Sequence, residues 1–250
     1  MALTSRSPTD ALDTTPLGDL HDRRVQEARM RRLDGCRLAW RFLRSASTFW
    51  RLHQVGRSLL VPFHRLVEYL PEQGVLLDLG CGHGVFLALA QQQRPALRLI
   101  GLDLSATKIA AARQAFEASD AAIGRLAVMD IAEFPEQSVD VISIIDVMYL
   151  VPLSRWDGIL KKCYDCLKPG GRLLLKEMDR SLRWKFALLC LEEGLAVKIL
   201  GWTLGGEFTF PRPEEIRSRL EVAGFEVQDV PLHRGYPAPH HLWIGIKEKA

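Results

Sequence analysis

The chain has 250 residues, 48% of them hydrophobic and 25% charged, and carries a formal net charge of +3. That length holds one large α/β domain with an appendage, not two full domains, and so small a charge excess does not by itself indicate a nucleic-acid or acidic partner. Five scattered cysteines (Cys36, Cys81, Cys163, Cys166 and Cys190) form no disulfide framework and fit a reducing cytosol.

The first residues lack a long apolar run and contain Asp10, Asp13 and Asp19, so no secretory signal is visible. The most apolar stretch, Trp184 to Leu204, is broken by Lys185, Glu192, Glu193, Gly194 and Lys198. It falls short of the roughly 18 uninterrupted apolar residues of a membrane span. A cytoplasmic protein, soluble or peripheral to a membrane, is expected.

Residues 1–22 mix Ser, Thr, Pro, Asp and Gly without periodicity and read as a disordered tail. Residues 23–70 read as a helical segment in which Trp40, Phe42, Phe49, Trp50, Leu59, Phe63 and Leu66 are set among arginines. Between 23 and 65 there are eleven Arg against Glu27 and Asp34. From residue 71 to 250 short apolar runs alternate with helical stretches, as in βαβ units around a parallel sheet. Strands are expected at about 75–79, 97–102, 125–129, 139–145, 172–177, 225–230 and 241–247, with helices at about 84–93, 105–118, 154–167 and 213–223. The last two strands have no helix between them, so they pair antiparallel or lie apart. Segment 178–204 is too long for a simple connection and reads as an inserted helical cover. Its stripe of Trp184, Leu188, Leu191, Leu195 and Ile199 fits a core helix equally well.

The sharpest signal is Val75-Leu76-Leu77-Asp78-Leu79-Gly80-Cys81-Gly82-His83-Gly84, an apolar strand running into a glycine-rich turn. Glycines there let the backbone approach a ligand where a Cβ would collide. A dinucleotide fingerprint needs its third glycine at position 85, where Val85 stands. Three acids in register add to this. Asp103 ends the second strand, where a carboxylate can accept from vicinal ribose hydroxyls. Asp130 follows the third strand, within reach of an adenine amino group, and Asp146 follows the fourth. Ligands of open α/β sheets bind at such carboxyl edges, near the topological switch point.

Together with the Leu167-Lys168-Pro169-Gly170-Gly171 turn, these residues make the stretch 74–177 resemble the class I S-adenosylmethionine-dependent methyltransferases, in particular their small-molecule methylating members. The resemblance implies a seven-stranded, mostly parallel Rossmann-like sheet with an antiparallel last strand, helices on both faces, and here an N-terminal helical extension. It implies S-adenosyl-L-methionine as cofactor. Asp78 and the backbone of Gly80, Cys81 and Gly82, in the loop closed by Gly84, would hold the methionine end. Asp103 would bind ribose, Leu104 would pack on adenine, Asp130 and Ile131 would flank it, and Asp146 would lie beside the sulfonium.

The expected reaction is methyl transfer to a small or lipid-like metabolite, with the acceptor atom (O, C or N) open. RNA or protein methylation and a non-catalytic cofactor-binding subunit are the alternatives. An oxygen or carbon nucleophile can need a base, for which Tyr149, His233, His240 and His241 are candidates alongside Glu177 and Tyr236. Cys163 and Cys166 have Cys-x-x-Cys spacing but lack a second ligand pair, so no metal is expected. Asp146 and Lys176 end adjacent strands, as do two of the four catalytic residues of RNA ribose methyltransferases, without the rest of that set. Three roles fit the Arg-rich N-terminal segment: a cover over the cofactor, contact with an anionic membrane, or RNA docking.

Overall fold

The computed structural model describes residues 33–44, 47–119, 123–135, 138–179 and 211–249. The expected tail at 1–22, the start of the helical segment at 23–32, and the expected cover from residue 180 onward lie outside the described residues.

Residues 33–42 form a helix, α1. In chain order there follow α2 (Thr48–Leu60), α3 (Phe63–Val67), β1 (Gln73–Leu79), α4 (Val85–Gln93), β2 (Ala96–Asp103), α5 (Ala106–Glu117), β3 (Arg125–Val128), β4 (Val139–Ile145), α6 (Trp156–Cys166), β5 (Leu167–Met178), α7 (Pro213–Val222), β6 (Glu226–Pro231) and β7 (His240–Ile246). The sheet order is β3-β2-β1-β4-β5-β7-β6. β1 to β5 run parallel, and β7 lies antiparallel between β5 and β6.

The central strands are apolar along their length because both of their faces are covered. On one face Leu76, Val141, Ile145, Leu174, Leu242 and Ile244 share a core with α4, α5 and the N-terminal helices. Ala39, Phe42, Leu43, Phe63, Leu66 and Val67 belong to that core, and Phe42 meets Phe116 edge-on at 4.7 Å. The N-terminal helices are thus a second helical layer over α4, whose residues Val85 to Ala90 are all buried. On the other face Leu77, Leu79, Ile142, Ile144, Leu173, Leu175 and Trp243 pack under α6 and α7.

β5 starts five residues earlier than the 172–177 expected. Pro169 and Gly170 look like strand breakers, yet the strand absorbs them in a register shift between Val139 and Val141. Gly170, at φ 75°, donates its N–H to Lys247 O at 3.0 Å. The strand order reverses at β1, with β2 on one side and β4 on the other, which is the switch point where such sheets leave a crevice at the carboxyl ends of the strands.

Candidate active site

The loop after β1 folds back over the end of β2. Gly80 N and Cys81 N both donate to Leu102 O, at 2.7 and 2.9 Å. Gly80 (φ 82°) has no room for a side chain, because a Cβ there would collide with Val147. Gly82 differs: its φ is 55°, yet a Cβ there would have no atom within 4 Å. Of the three loop glycines, Gly82 is the one with space beside it, at the threshold of α4, whose first N–H groups favour an anion or a polar ligand. Gly84 (φ 76°) starts α4, and the Cys81 thiol is buried. Burial pushes that thiol well above its ordinary range, so Cys81 contributes backbone to the site.

Asp103 is buried at the tip of β2 and already braces the loop. Its Oδ2 accepts from Gly82 N at 2.9 Å, and its Oδ1 from Ser105 N at 2.8 Å. Each oxygen retains a lone pair for a ligand hydroxyl. Beside it Leu104 is 55% exposed and Val128, at the tip of β3, is 47% exposed. These two bare apolar side chains can form the walls for a flat ring. Asp130 is tied down: Oδ1 accepts from Ala132 N and Oδ2 pairs with Arg155, both at 2.9 Å. Partial burial opposes the Asp130 charge, but these bonds win and hold its pKa below the usual carboxylate range. The Ile131 side chain is buried in the core cluster shared with α6.

The other two acids face inward. Asp78 is buried and accepts from Ser143 Oγ at 2.6 Å, the residue opposite it on β4. Burial raises its carboxyl to about 7 against the opposing Ser143 bond. Asp146 adopts a left-handed backbone (φ 54°), uncommon outside glycine. Its N–H donates to Lys176 O at 3.0 Å, and its carboxylate is ion-paired with the fully buried Lys176 ammonium. The Arg57 guanidinium lies 3.6 Å from Asp146 Oδ2. Burial would raise the Asp146 pKa, yet Lys176 and Arg57 together hold it below the usual range.

Arg57 comes from α2, and it does not come alone. Gln54 Nε2 lies 3.2 Å from His83 Nδ1 in the glycine loop, and the Trp50 ring sits 4.8 Å from the His83 ring. Burial, with Lys108 and His53 nearby, lowers His83 to about 4, so it is neutral at pH 7. Sequence reasoning named none of Trp50, Gln54, Arg57, Val128 or Ser143 as site residues. Val128 alone carried a local signal, as an apolar residue ending a strand next to Asp103.

Behind the turn after β4 lies Glu177. Its Oε1 accepts from Val147 N (3.0 Å) and Met148 N (2.7 Å), while the buried Oε2 has no hydrogen-bond partner among the described residues. Burial, reinforced by the Asp146 charge, raises this carboxyl to about 8. The folded protein therefore holds a proton that the unfolded chain releases near pH 4.5. Stability attributable to this group is full below pH 4.5 and falls by up to about 1.4 kcal/mol per pH unit until about pH 8. Glu177→Gln keeps the acceptor and removes the titration. Thermal melts should show the Tm of the variant rising against wild type by several degrees between pH 5 and pH 9; parallel curves would mean that Glu177 is not protonated in the fold.

The candidate bases separate by face. Tyr149 is buried in the turn after β4. His240 is buried, and its Nε2 donates to Leu60 O of α2 at 2.7 Å, which gives it a role in packing. His233 is half-buried in the β6–β7 connection, and Tyr236 is buried with its hydroxyl 3.4 Å from His64. His241 pairs with Glu177 across β5 and β7, which places it at the carboxyl end of β5. Its ring stacks on Trp243 at 4.3 Å, with Nδ1 4.0 Å from Asp179 Oδ2 and Nε2 3.5 Å from Asp229 Oδ1. Burial lowers the His241 pKa, partly offset by Asp179, with His233 and Arg217 adding to the depression. No group of three or more His, Cys, Asp or Glu among the described residues could hold a metal ion. Cys163 and Cys166 are both buried in the α6 core, where burial raises the Cys163 thiol.

A family model described as a methyltransferase domain matches residues 50–230, a span that begins inside α2. Over 157 residues the chain is 27% identical to a ubiquinone biosynthesis O-methyltransferase of Pseudomonas entomophila, covering 62% of this chain and 66% of that protein. Over 220 residues it is 28% identical to the tRNA N(3)-methylcytidine methyltransferase Mettl2 of Drosophila melanogaster, covering 78% of this chain and 66% of that one. The solved apo structure of the S-adenosylmethionine-dependent methyltransferase SibL superposes with a TM-score of 0.63 at 22% identity, covering 80% of this chain and 58% of SibL. The chain thus spans about two thirds of the length of these relatives and less of SibL. With the strand order, the glycine loop and a family match over most of its length, the chain belongs to the methyltransferase-domain family and has the Rossmann-like fold of the S-adenosylmethionine-dependent enzymes.

Proposed function

We propose that the protein transfers a methyl group from S-adenosyl-L-methionine to a hydroxyl oxygen of a small or lipid-like metabolite. The open space over Gly82, flanked by the Asp103 carboxylate and the bare Leu104 and Val128, fits the cofactor. When bound, that molecule supplies a methyl already activated on a sulfonium. The chain's residues then act by position. Asp103 would accept from the ribose hydroxyls, Leu104 and Val128 would sandwich the adenine, and the Asp130 carboxylate would face its amino group. The Gly82 backbone would lie against the methionine end. Holding nucleophile, methyl and sulfur in line can supply about 7–11 kcal/mol of the barrier.

His241 is the observation that carries the acceptor reading. It is neutral at pH 7 and sits at the carboxyl end of β5; its buried Nε2 lies 3.5 Å from Asp229, which leaves Nδ1 to take a hydroxyl proton, with the Asp179 carboxylate 4.0 Å away to stabilise the imidazolium so formed. The O-methyltransferase name of the Pseudomonas relative agrees with this reading, and the tRNA enzyme represents the competing one.

His241→Ala should lower kcat by about 10²–10⁴-fold with cofactor affinity unchanged. In wild type the rate should rise with pH up to the depressed His241 pKa, below 6.5, and stay flat above it. The variant should lose that inflection. Radiolabel transfer from S-adenosylmethionine into metabolite extracts and into total RNA, run side by side, tests the substrate class; label in RNA alone overturns the proposal.

A further inference from the structure

α2 is built inside out. Its buried residues are Gln54 and Ser58, both polar, while Leu52 is 59% exposed, Leu59 is 43% exposed, and Phe49 and Leu60 are exposed beside them. At 100° per residue these four apolar side chains occupy one arc of the helix, and Gln54 and Ser58 lie on the opposite arc. The inward polar arc has a visible purpose. Along its length α2 crosses the carboxyl edge of the sheet, with Gln54 on His83 after β1, Arg57 on Asp146 after β4, and Leu60 O on His240 where β7 meets the end of β5. The outward apolar arc contributes nothing to that. Exposed leucines in a contiguous row mark a surface that is covered in use.

The charges around this arc indicate what covers it. Residues 33–51 hold Arg37, Arg41, Arg44 and Arg51 against a single acid, Asp34, which pairs with Arg37, while Arg57 is engaged inward with Asp146. Arg37 and Arg41 are exposed on α1 and Arg44 in the turn after it. Arg51 joins the two helices, its guanidinium 3.7 Å over the exposed Trp40 ring and donating to Trp40 O at 3.1 Å. An exposed leucine row on α2 beside an arginine-bearing α1 matches an interfacial surface, in which apolar side chains enter the acyl boundary and guanidinium groups meet lipid phosphates. A second copy of the chain would fit poorly, because a two-fold contact would set one arginine-rich rim against another with almost no acid to pair.

We infer that α1 and α2 seat the protein on an anionic lipid surface through the outward arc of α2, with the mouth of the active site held at the bilayer by the same helix. The inference rests on the two-sided helix and does not depend on which molecule accepts the methyl group.

The full chain should co-sediment with phosphatidylcholine vesicles containing about one third phosphatidylglycerol and not with phosphatidylcholine alone, retaining part of the binding at high salt through its apolar contacts. Leu52→Asp with Leu59→Asp should reduce partitioning about tenfold or more while leaving Tm and S-adenosylmethionine affinity as in wild type. Arg37→Glu with Arg41→Glu should weaken binding without touching the leucines, and it serves if the aspartate pair lowers Tm. Failure of the wild type to sediment, or vesicle binding that neither pair reduces, overturns the inference. So does a dimer in sedimentation equilibrium that the leucine substitutions dissolve without any vesicle binding. Cofactor affinity, measured separately, keeps a failure here distinct from a failure of the methyltransferase reading.

Discussion

Asp103→Ala is expected to lower the affinity for S-adenosylmethionine by about two to four orders of magnitude, because each hydrogen bond from a ribose hydroxyl to a charged carboxylate contributes about 1.5–3 kcal/mol. The structure adds a second consequence. The same carboxylate holds Gly82 N and Ser105 N, so the alanine variant also releases the glycine loop and removes a brace at the start of α5. Some loss of Tm should accompany the loss of binding. Asp103→Asn separates the two effects: it keeps one oxygen for Ser105 N but turns an amide donor toward Gly82 N, disturbing the loop while keeping one acceptor. Titration calorimetry on both variants, beside their melts, decides the role. If Tm falls in both and affinity in neither, Asp103 is a structural brace and the ribose assignment is wrong.

The strand framework was largely legible because buried parallel strands are written as uninterrupted apolar runs. β1, β2 and β4 were placed within two residues of their observed ends. β5 was cut short because Pro169 and Gly170 break a strand by local rules, and only the cross-strand bond from Gly170 N to Lys247 O shows how they are accommodated. Acids at strand tips were legible too, since a tip is defined by the strand that precedes it. Their partners were not. Arg57 reaches Asp146 from a helix 89 positions earlier in the chain, and Ser143 meets Asp78 only through the β1–β4 register. The pattern of α2 was ambiguous in the sequence, where its apolar residues fitted a cover over the cofactor, membrane contact or RNA docking alike; the fold is what puts Gln54 and Ser58 inside and Leu52 and Leu59 outside. His240 and His241 show the same limit at smaller scale. Alternation along β7 requires them to face opposite ways. Which of them meets α2 and which meets Asp179 depends on the helices covering each face, and that is tertiary information.

Gly82→Val should abolish cofactor binding while the protein still melts cooperatively. Of the loop glycines, this is the one whose replacement separates ligand space from packing space. At Gly80 a side chain would strike Val147 and disturb the fold itself, whereas at Gly82 the place of a Cβ is empty of protein atoms. Valine will not be neutral for stability, because φ is 55° there and a β-branched residue in the left-handed region costs about 1–2 kcal/mol or somewhat more. For a domain of this size that cost is a drop of about 2–8 °C in Tm, not loss of the transition. The expected affinity falls by more than about a thousandfold, since the branched side chain fills the space where the ligand must approach the loop backbone. Gly82→Asn supplies the control. Asparagine tolerates positive φ with little strain, so a Tm near wild type combined with lost binding would show that occlusion, not distortion, is the cause. Normal affinity in the asparagine variant would mean that the space above Gly82 is not the ligand's, and the cofactor site would have to be sought elsewhere on the carboxyl edge.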